Sequence, residues 1–301
     1  MVSFENVSKF CLSDISLHIP EKSIVGIIGA SGAGKTTLLR LSCGLLQCDK
    51  GSVRTFFRNP IKNRRQIASD IRVFFSDTPI FQEDGTIQYE FERLRMLYSL
   101  KEQCFQDEYR NLAAALQFEE YETKPIRELS LGQRRRAELA AAMFGKARLI
   151  LLDEPTSGLD EQGKRLFQKL LRQKKEEGAA ILVSSYGIAE EEALCDRIIL
   201  LDKGQLLYYG DRDNLMRRYA PIHEMELMFL GRLPDMEDLP LLRYRMEGNH
   251  LMLSYDSNII SAAELITHLM EQTTIIQMHI QRPQLQDVII KGGRSWNNEL
   301  F

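Results

Sequence analysis

Apolar residues in the first two-thirds of the chain fall into short unbroken runs, separated by longer stretches with helical spacing. The runs Ser23–Ile28, Ile71–Phe75, Leu149–Leu152, Ala180–Ser184 and Arg197–Leu201 predict strands. Their continuity, in place of an apolar–polar alternation, is expected of strands buried on both faces. Strand-like runs alternating with helical stretches predict an α/β domain over residues 1–211. From Gly85 to about Lys124 the pattern changes: Ile87, Phe91, Leu94, Met96 and Leu97 recur near helical intervals, and Asn111–Phe118 is rich in alanine and leucine. A helical insertion over roughly residues 85–146 follows. Beyond Asp211 the pattern changes again. Leu242–Met246 and His250–Tyr255 read as strands around the Gly248-Asn249 turn, Ala262–Glu271 as a helix and Ile275–Gln281 as a strand. A small α+β appendage over residues 212–291 accounts for them, and residues 292–301 carry too little apolar periodicity for any element.

Composition narrows the function classes. The 301 residues suffice for one large domain and a small one, and a hydrophobic content of 44% is ordinary for a globular chain. A net charge of −3 does not point to nucleic acid, which favours a basic domain. No run approaches the ~18 apolar residues of a membrane span, and Met1–Asn6 lacks the basic and apolar regions of a signal peptide. The five cysteines, Cys11, Cys43, Cys48, Cys104 and Cys195, have no metal-type spacing and read as reduced thiols of a cytosolic protein. Any membrane role would therefore come through a partner.

Two stretches carry chemistry. The first is Gly29, Ala30, Ser31, Gly32, Ala33, Gly34, Lys35, Thr36 and Thr37, placed after the apolar run Ile24–Ile28 and before a helical one. Strand, glycine loop and helix in that order form a phosphate-binding loop: the helix start offers N–H groups and the positive dipole end to an anion. Lys35 would reach the β- and γ-phosphates, and the Thr36 hydroxyl would ligate Mg²⁺. A glycine-rich turn without a ligand is the other reading, and this context disfavours it. The second stretch is Leu149–Pro155, an apolar strand that delivers Asp153 and Glu154 at its end. Asp153 would hold Mg²⁺ through water, and Glu154 would orient or deprotonate an attacking water.

The run Leu129, Ser130, Leu131, Gly132, Gln133 resembles the signature motif of ATP-binding cassette (ABC) proteins, Leu-Ser-Gly-Gly-Gln, with Leu131 where the first glycine belongs. Ser157-Gly158-Leu159-Asp160 is similar to the family's D-loop, and Leu194–Ile198 to the strand start after its switch region. The resemblance covers residues 2–210 in the family's order. It implies a P-loop ABC-type ATPase domain with a helical subdomain, ATP and Mg²⁺ as ligands, and a head-to-tail dimer. Each nucleotide would then lie between one chain's phosphate loop and the Ser130–Gln133 segment of the other, in a homodimer or a heterodimer with a second ABC ATPase. Ordinary capping of a helix by Ser130 is the bland reading of the same run. Gln281–Lys291 and the Ser184-Ser185 pair resemble the ATPases of drug-resistance and sodium-efflux exporters. That likeness implies a separate transmembrane permease subunit and a cytoplasmic place at the inner face of the membrane. A non-transport ATP switch of the same family is the alternative. For the appendage, a dimer-stabilising or regulatory module is the favoured reading.

The chain departs from the family at two positions. Ser76 stands where a glutamine contacts Mg²⁺ and the lytic water, with Gln82 six residues further on, and Tyr186 stands at the switch histidine. A one-residue slip would put Ser185 there instead. Losing one such donor costs about 10²–10³ in rate, so slow hydrolysis is expected, with replacement of the contacts by Ser76 and Tyr186 as the competing reading. Phe10 fits the aromatic that stacks on adenine, with core packing as its alternative. The segment Ser76–Arg95 is where the family receives a membrane subunit. There Phe81, Ile87, Tyr89 and Phe91 are candidates to line the groove, and core packing is an equal reading for each. Arg134, Arg135 and Arg136 either approach the same interface or form a solvated helix face, and the solvated face is the favoured reading.

Overall fold

The computed structural model describes residues 1–185, 194–231, 234–237, 239–281 and 283. The chain divides into two units, Met1–Gly210 and Asp211–Phe301. Strands β1 (Val2–Lys9) and β2 (Leu12–Ile19) open the first unit as a hairpin, and β3 (Ile24–Ile28) runs through the loop 29–34 into helix α1 (Lys35–Ser42). Strand β4 (Lys50–Thr55) returns to β1 and completes an antiparallel sheet of order β2-β1-β4. The one-turn α2 (Arg64–Ile67) precedes β5 (Ile71–Phe75), and α3 (Ile87–Leu97), α4 (Glu102–Leu116) and α5 (Leu131–Ala142) build the helical insertion. Then follow β6 (Leu149–Asp153), α6 (Glu161–Glu176), β7 (Ala180–Ser185), β8 (Arg197–Asp202) and β9 (Gln205–Gly210).

The main sheet has the order β5-β6-β7-β3-β8-β9, parallel except for β9. Its central strands β3, β6 and β7 are buried at every position, which is why they read as unbroken apolar runs. Alternate residues feed two cores. On one face Ile150, Leu152, Ile181 and Val183 pack with the helical insertion and α6. On the other, Leu149, Leu151, Ala180 and Leu182 pack with α1 and the β1–β2 hairpin. The antiparallel sheet is absent from the strands expected above. In β2 buried and exposed positions largely alternate, because one face meets solvent, and such strands lack an unbroken apolar run.

The helical insertion is held by rings. Phe91 meets Tyr109 at 5.0 Å, Phe144 at 5.3 Å and Phe118 at 5.7 Å. The first two contacts are edge-on, a favoured aromatic geometry. Arg72 of β5 ties this insertion to the sheet. Its guanidinium lies 3.8 Å from the Tyr98 ring centroid and donates to the carbonyls of Phe144 and Ser69 at 2.6 and 2.8 Å.

The second unit carries α7 (Arg212–Tyr219), β10 (Ile222–Leu230), β11 (Leu241–Glu247), β12 (His250–Asp256), α8 (Ala262–Gln272) and β13 (Thr274–Gln281). Its antiparallel sheet has the order β11-β12-β10-β13. Met225, Leu227, Phe229, Leu251, Leu253 and Tyr255 meet Leu265 and Leu269 of α8 in a small core. Ser261 and Glu264 close a capping box at the start of α8. Strand β10 was not anticipated; its alternating burial leaves Glu224 and Glu226 outside. Of the exporter-like ending, only Gln281 and Pro283 fall within the described residues.

Candidate active site

The loop after β3 sits at the carboxyl end of a central strand, where open α/β sheets place their ligands. Gly34 is the N-cap of α1, with φ 103°, and a Cβ there would lie 2.4 Å from Leu12 Cδ2. Only glycine fits that approach and that backbone. Having no side chain, it also leaves the first-turn N–H groups of α1 without a capping oxygen, which suits an anion. Ala33 is buried beneath the loop, while Ala30, Ser31 and Gly32 face outward. Lys35 folds back over the loop, its Nζ donating to the carbonyls of Gly29 at 2.8 Å and Ala30 at 3.1 Å. Burial lowers its pKa, and the charges of Glu154 and Asp153 oppose that shift.

Parallel register brings the acidic pair to the same edge. Asp153 of β6 lies beside Ser184 of β7, and Ser185 lies beside Ile28 of β3. The Thr36 hydroxyl donates to Asp153 Oδ2 at 2.8 Å, and the Ser184 hydroxyl to Asp153 Oδ1 at 2.5 Å. The backbone N–H of Glu154 donates to Ser184 Oγ at 2.9 Å. Glu154 itself holds φ 47°. Thr36 and Asp153 thus present two hard oxygens side by side, and no group of three or more His, Cys, Asp or Glu forms a metal cage among the described residues. That donor set fits Mg²⁺, which takes one or two protein oxygens and completes its shell with water and substrate phosphates. Ser184 was not among the expected site residues. Its signal in the sequence is a hydroxyl at the end of an otherwise apolar strand.

A second polar group lies at the start of α5. Ser130 caps the helix: its Oγ accepts from Gln133 N at 3.2 Å, while Gln133 Oε1 accepts from Ser130 N at 2.9 Å. Leu131 is 67% exposed, and a Cβ on Gly132 would lie 3.5 Å from the carbonyl oxygen of Gly158. Asp160 caps α6 and accepts from Arg136 at 2.7 Å, a bond that holds its carboxyl below the usual range. The expected solvated arginine face is corrected here. Arg134 pairs with Glu138, Arg135 lies over the Phe74 ring and donates to the Ser157 carbonyl, and Arg136 binds Asp160. Together these arginines fasten α5 to β5 and to the 157–160 loop.

Comparison with known proteins decides the family. The model of the ABC transporter family matches residues 12–157. The ABC transporter ATP-binding protein NatA of Bacillus subtilis is 30% identical over 220 residues, 73% of this chain and 89% of that protein. The chain belongs to the ATP-binding proteins of the ABC transporter family. The Nod factor export ATP-binding protein I of Bradyrhizobium diazoefficiens is 26% identical over 94% of this chain and 91% of its own. In fold, a solved ATP-binding subunit of an ABC transporter matches with a TM-score of 0.67 at 22% identity, over 72% of this chain and 92% of that one.

The remaining positions can now be set in an ABC ATP-binding subunit. Ser76 is exposed just beyond β5, beside Asp77, whose carboxyl is lowered by the hydrogen bond from Arg40 at 2.6 Å. Gln82 donates its backbone N–H to Glu90 Oε1 at 3.3 Å. Tyr186 lies outside the described residues. Phe10 is 73% exposed with φ 51°, which excludes core packing, and Lys9 Nζ stands 4.9 Å from its ring centroid. Of the groove candidates, Ile87 and Phe91 are core residues and Tyr89 is exposed. Phe81 is buried yet lines a cleft of about 620 Å³ with Ile80, Glu90, Arg93, Leu94, Met96 and Leu97. The last two lie just beyond the segment singled out in the sequence.

Proposed function

We propose that this chain binds MgATP on its phosphate loop, hydrolyses it with Glu154 as general base, and powers an exporter whose membrane-spanning part is a separate polypeptide. One observation carries the reading: Thr36, Asp153 and the start of Glu154 converge on the end of the loop whose lysine is already buried over it. Lys35, the loop amides from Gly29 to Gly34 and the first turn with Thr36 and Thr37 would cradle the phosphates, and the exposed Phe10 ring would stack on the base. Thr36 and Asp153 would hold Mg²⁺, which when bound neutralises charge on the phosphate oxygens. Glu154 would take the proton of the attacking water.

Two such subunits would close head to tail, each lending Ser130, Leu131, Gly132 and Gln133, with Asp160 alongside, to the other's nucleotide. The outward start of α5 and the exposed Leu131 support this, since neither is covered by the described residues of its own unit. The second subunit is either another copy or a second ABC ATPase. With Ser76 and Tyr186 in place of the glutamine and histidine, this chain's own site would turn over slowly. The cleft along α3, with an apolar rim and the Glu90–Arg93 ion pair, would receive a cytoplasmic helix of the membrane subunit, so that the chain works at the inner face of the membrane. No helix among the described residues is long and apolar enough to cross a membrane itself. The relative named for Nod factor export supports the outward direction.

The test is ATP turnover and nucleotide binding by the purified chain and its Glu154→Gln variant. Retained binding with turnover abolished by the substitution supports the reading. Absence of nucleotide binding in the unaltered chain overturns it.

A further inference from the structure

We infer that Ser184 is a positioning residue that locks the metal-side carboxylate and the catalytic glutamate into one arrangement; the inference rests on reading this site as the MgATP site. The direction of its hydrogen bonds is forced. A backbone N–H only donates and an ionised carboxylate only accepts, so Glu154 N–H must give to Ser184 Oγ, and the one hydroxyl proton goes to Asp153 Oδ1. A hydroxyl is a group that does both at once. The bond to Asp153, at 2.5 Å, is a short charge-assisted contact in a fully buried place.

Two consequences follow for the site. With Oδ1 occupied by Ser184, the carboxylate turns Oδ2 towards Thr36, its hydroxyl 2.8 Å away, so Ser184 selects the oxygen that faces the metal position. Glu154 holds a left-handed φ of 47°, a region that residues other than glycine, asparagine and aspartate enter rarely. Its N–H is shared between Ser184 Oγ at 2.9 Å and the Ser184 carbonyl at 3.2 Å. The same residue therefore holds the unusual backbone from which the glutamate side chain departs. Loss of the hydroxyl frees the Asp153 carboxylate to rotate and loosens Glu154, while the phosphate loop, built on β3 and α1, is untouched.

The experiment compares the full chain with Ser184→Ala and Ser184→Thr, measuring ATP affinity in Mg²⁺ and in EDTA, Mn²⁺ binding by electron paramagnetic resonance in the presence of ADP, and kcat with KM. For Ser184→Ala the EDTA affinity stays within about twofold. The metal-dependent gain in affinity and kcat each fall about tenfold, the scale of one lost hydrogen bond to a charged group. Ser184→Thr, which keeps the hydroxyl, restores both. Should the alanine chain fail to fold, Ser184→Cys, similar in shape with a weak donor, takes its place with the same expected losses. Unchanged metal dependence and kcat in the folded alanine or cysteine variant overturns the inference while leaving the MgATP reading intact. So does a well-folded threonine variant that restores neither quantity. An unaltered chain with no metal-dependent nucleotide binding overturns the site reading, and the inference with it.

Discussion

At the carboxyl ends of β3, β6 and β7 the side chains of Thr36, Asp153 and Ser184 bond to one another and buried Lys35 bonds to the loop carbonyls, whereas at the start of α5 the polar side chains lie at the surface around an exposed Leu131. Lys35 and Asp153 are 5% and 4% exposed, and each finds its partners within the first unit. The α5 group is ordered too, by the Ser130–Gln133 box and the Arg136–Asp160 bond, yet its helix start and its apolar residue point outward. Both groups suit phosphate through helix N–H groups. The difference lies in completeness: one group finds its partners within a single chain, while the other leaves its helix start and Leu131 exposed, as the proposed head-to-tail closure requires.

Glu154→Gln strikes the first region hardest. ATP turnover is expected to fall about 10²–10⁴-fold, the usual worth of a general base, with nucleotide affinity retained. Steady-state turnover beside equilibrium binding checks it, and undiminished turnover would mean that the buried group is not the reacting one. Phe91→Ala, in the ring cluster below the helical insertion, should cost about 3–5 kcal/mol of stability, read by denaturant unfolding. Nucleotide affinity should hardly move if the buried group is independent of the helices that carry α5; a parallel loss would couple the two regions. Restoring the missing donors through Ser76→Gln with Tyr186→His should raise turnover about tenfold or more. A drop would show that the native pair already serves.

Ser130→Ala removes the N-cap of α5 and should cost about 1 kcal/mol of stability. It should lower turnover without altering nucleotide binding by the isolated chain, and weakened binding would place Ser130 in the same chain's site. The smallest effect concerns acid. Because the Asp160 carboxyl is held below its ordinary value by Arg136 and by Gly163 N–H, its contribution is fully present above about pH 4. That contribution fades as pH falls through the depressed folded value. Its side chain is 63% exposed, so solvent screens the pair and the effect is small. Arg136→Gln should flatten this part of the unfolding midpoint as pH falls below about 4, as circular dichroism would record.

The buried strands were legible because burial on both faces leaves unbroken apolar runs, as in Leu149–Leu152. Several strands with one wet face were not: β1, β2, β4 and β10 mix polar residues into their spacing, whereas β11, β12 and β13 were still read as strands. Candidate site residues contiguous in the chain, from Gly29 to Thr37 and Asp153 with Glu154, were legible for a similar reason. Their chemistry depends on a strand, a turn and a helix that are neighbours in sequence. The arginines of α5 misled, since three adjacent charges look solvated until Glu138, Phe74 and Asp160 are brought to them.

What this sequence determined by itself is the alternation of buried strands with helical stretches and the two motifs at strand ends, because local spacing and, in the phosphate loop, glycine backbone freedom specify them. What only the tertiary structure decided is who meets whom across the sheet. Ser184 lies 31 positions from Asp153 and becomes its partner only through the parallel register of β6 and β7. Arg136 similarly reaches Asp160 across 24 positions once α5 packs beside the 157–160 loop. Hydrogen bonds are short and directional, so no pattern along the chain foretells them until packing sets the register.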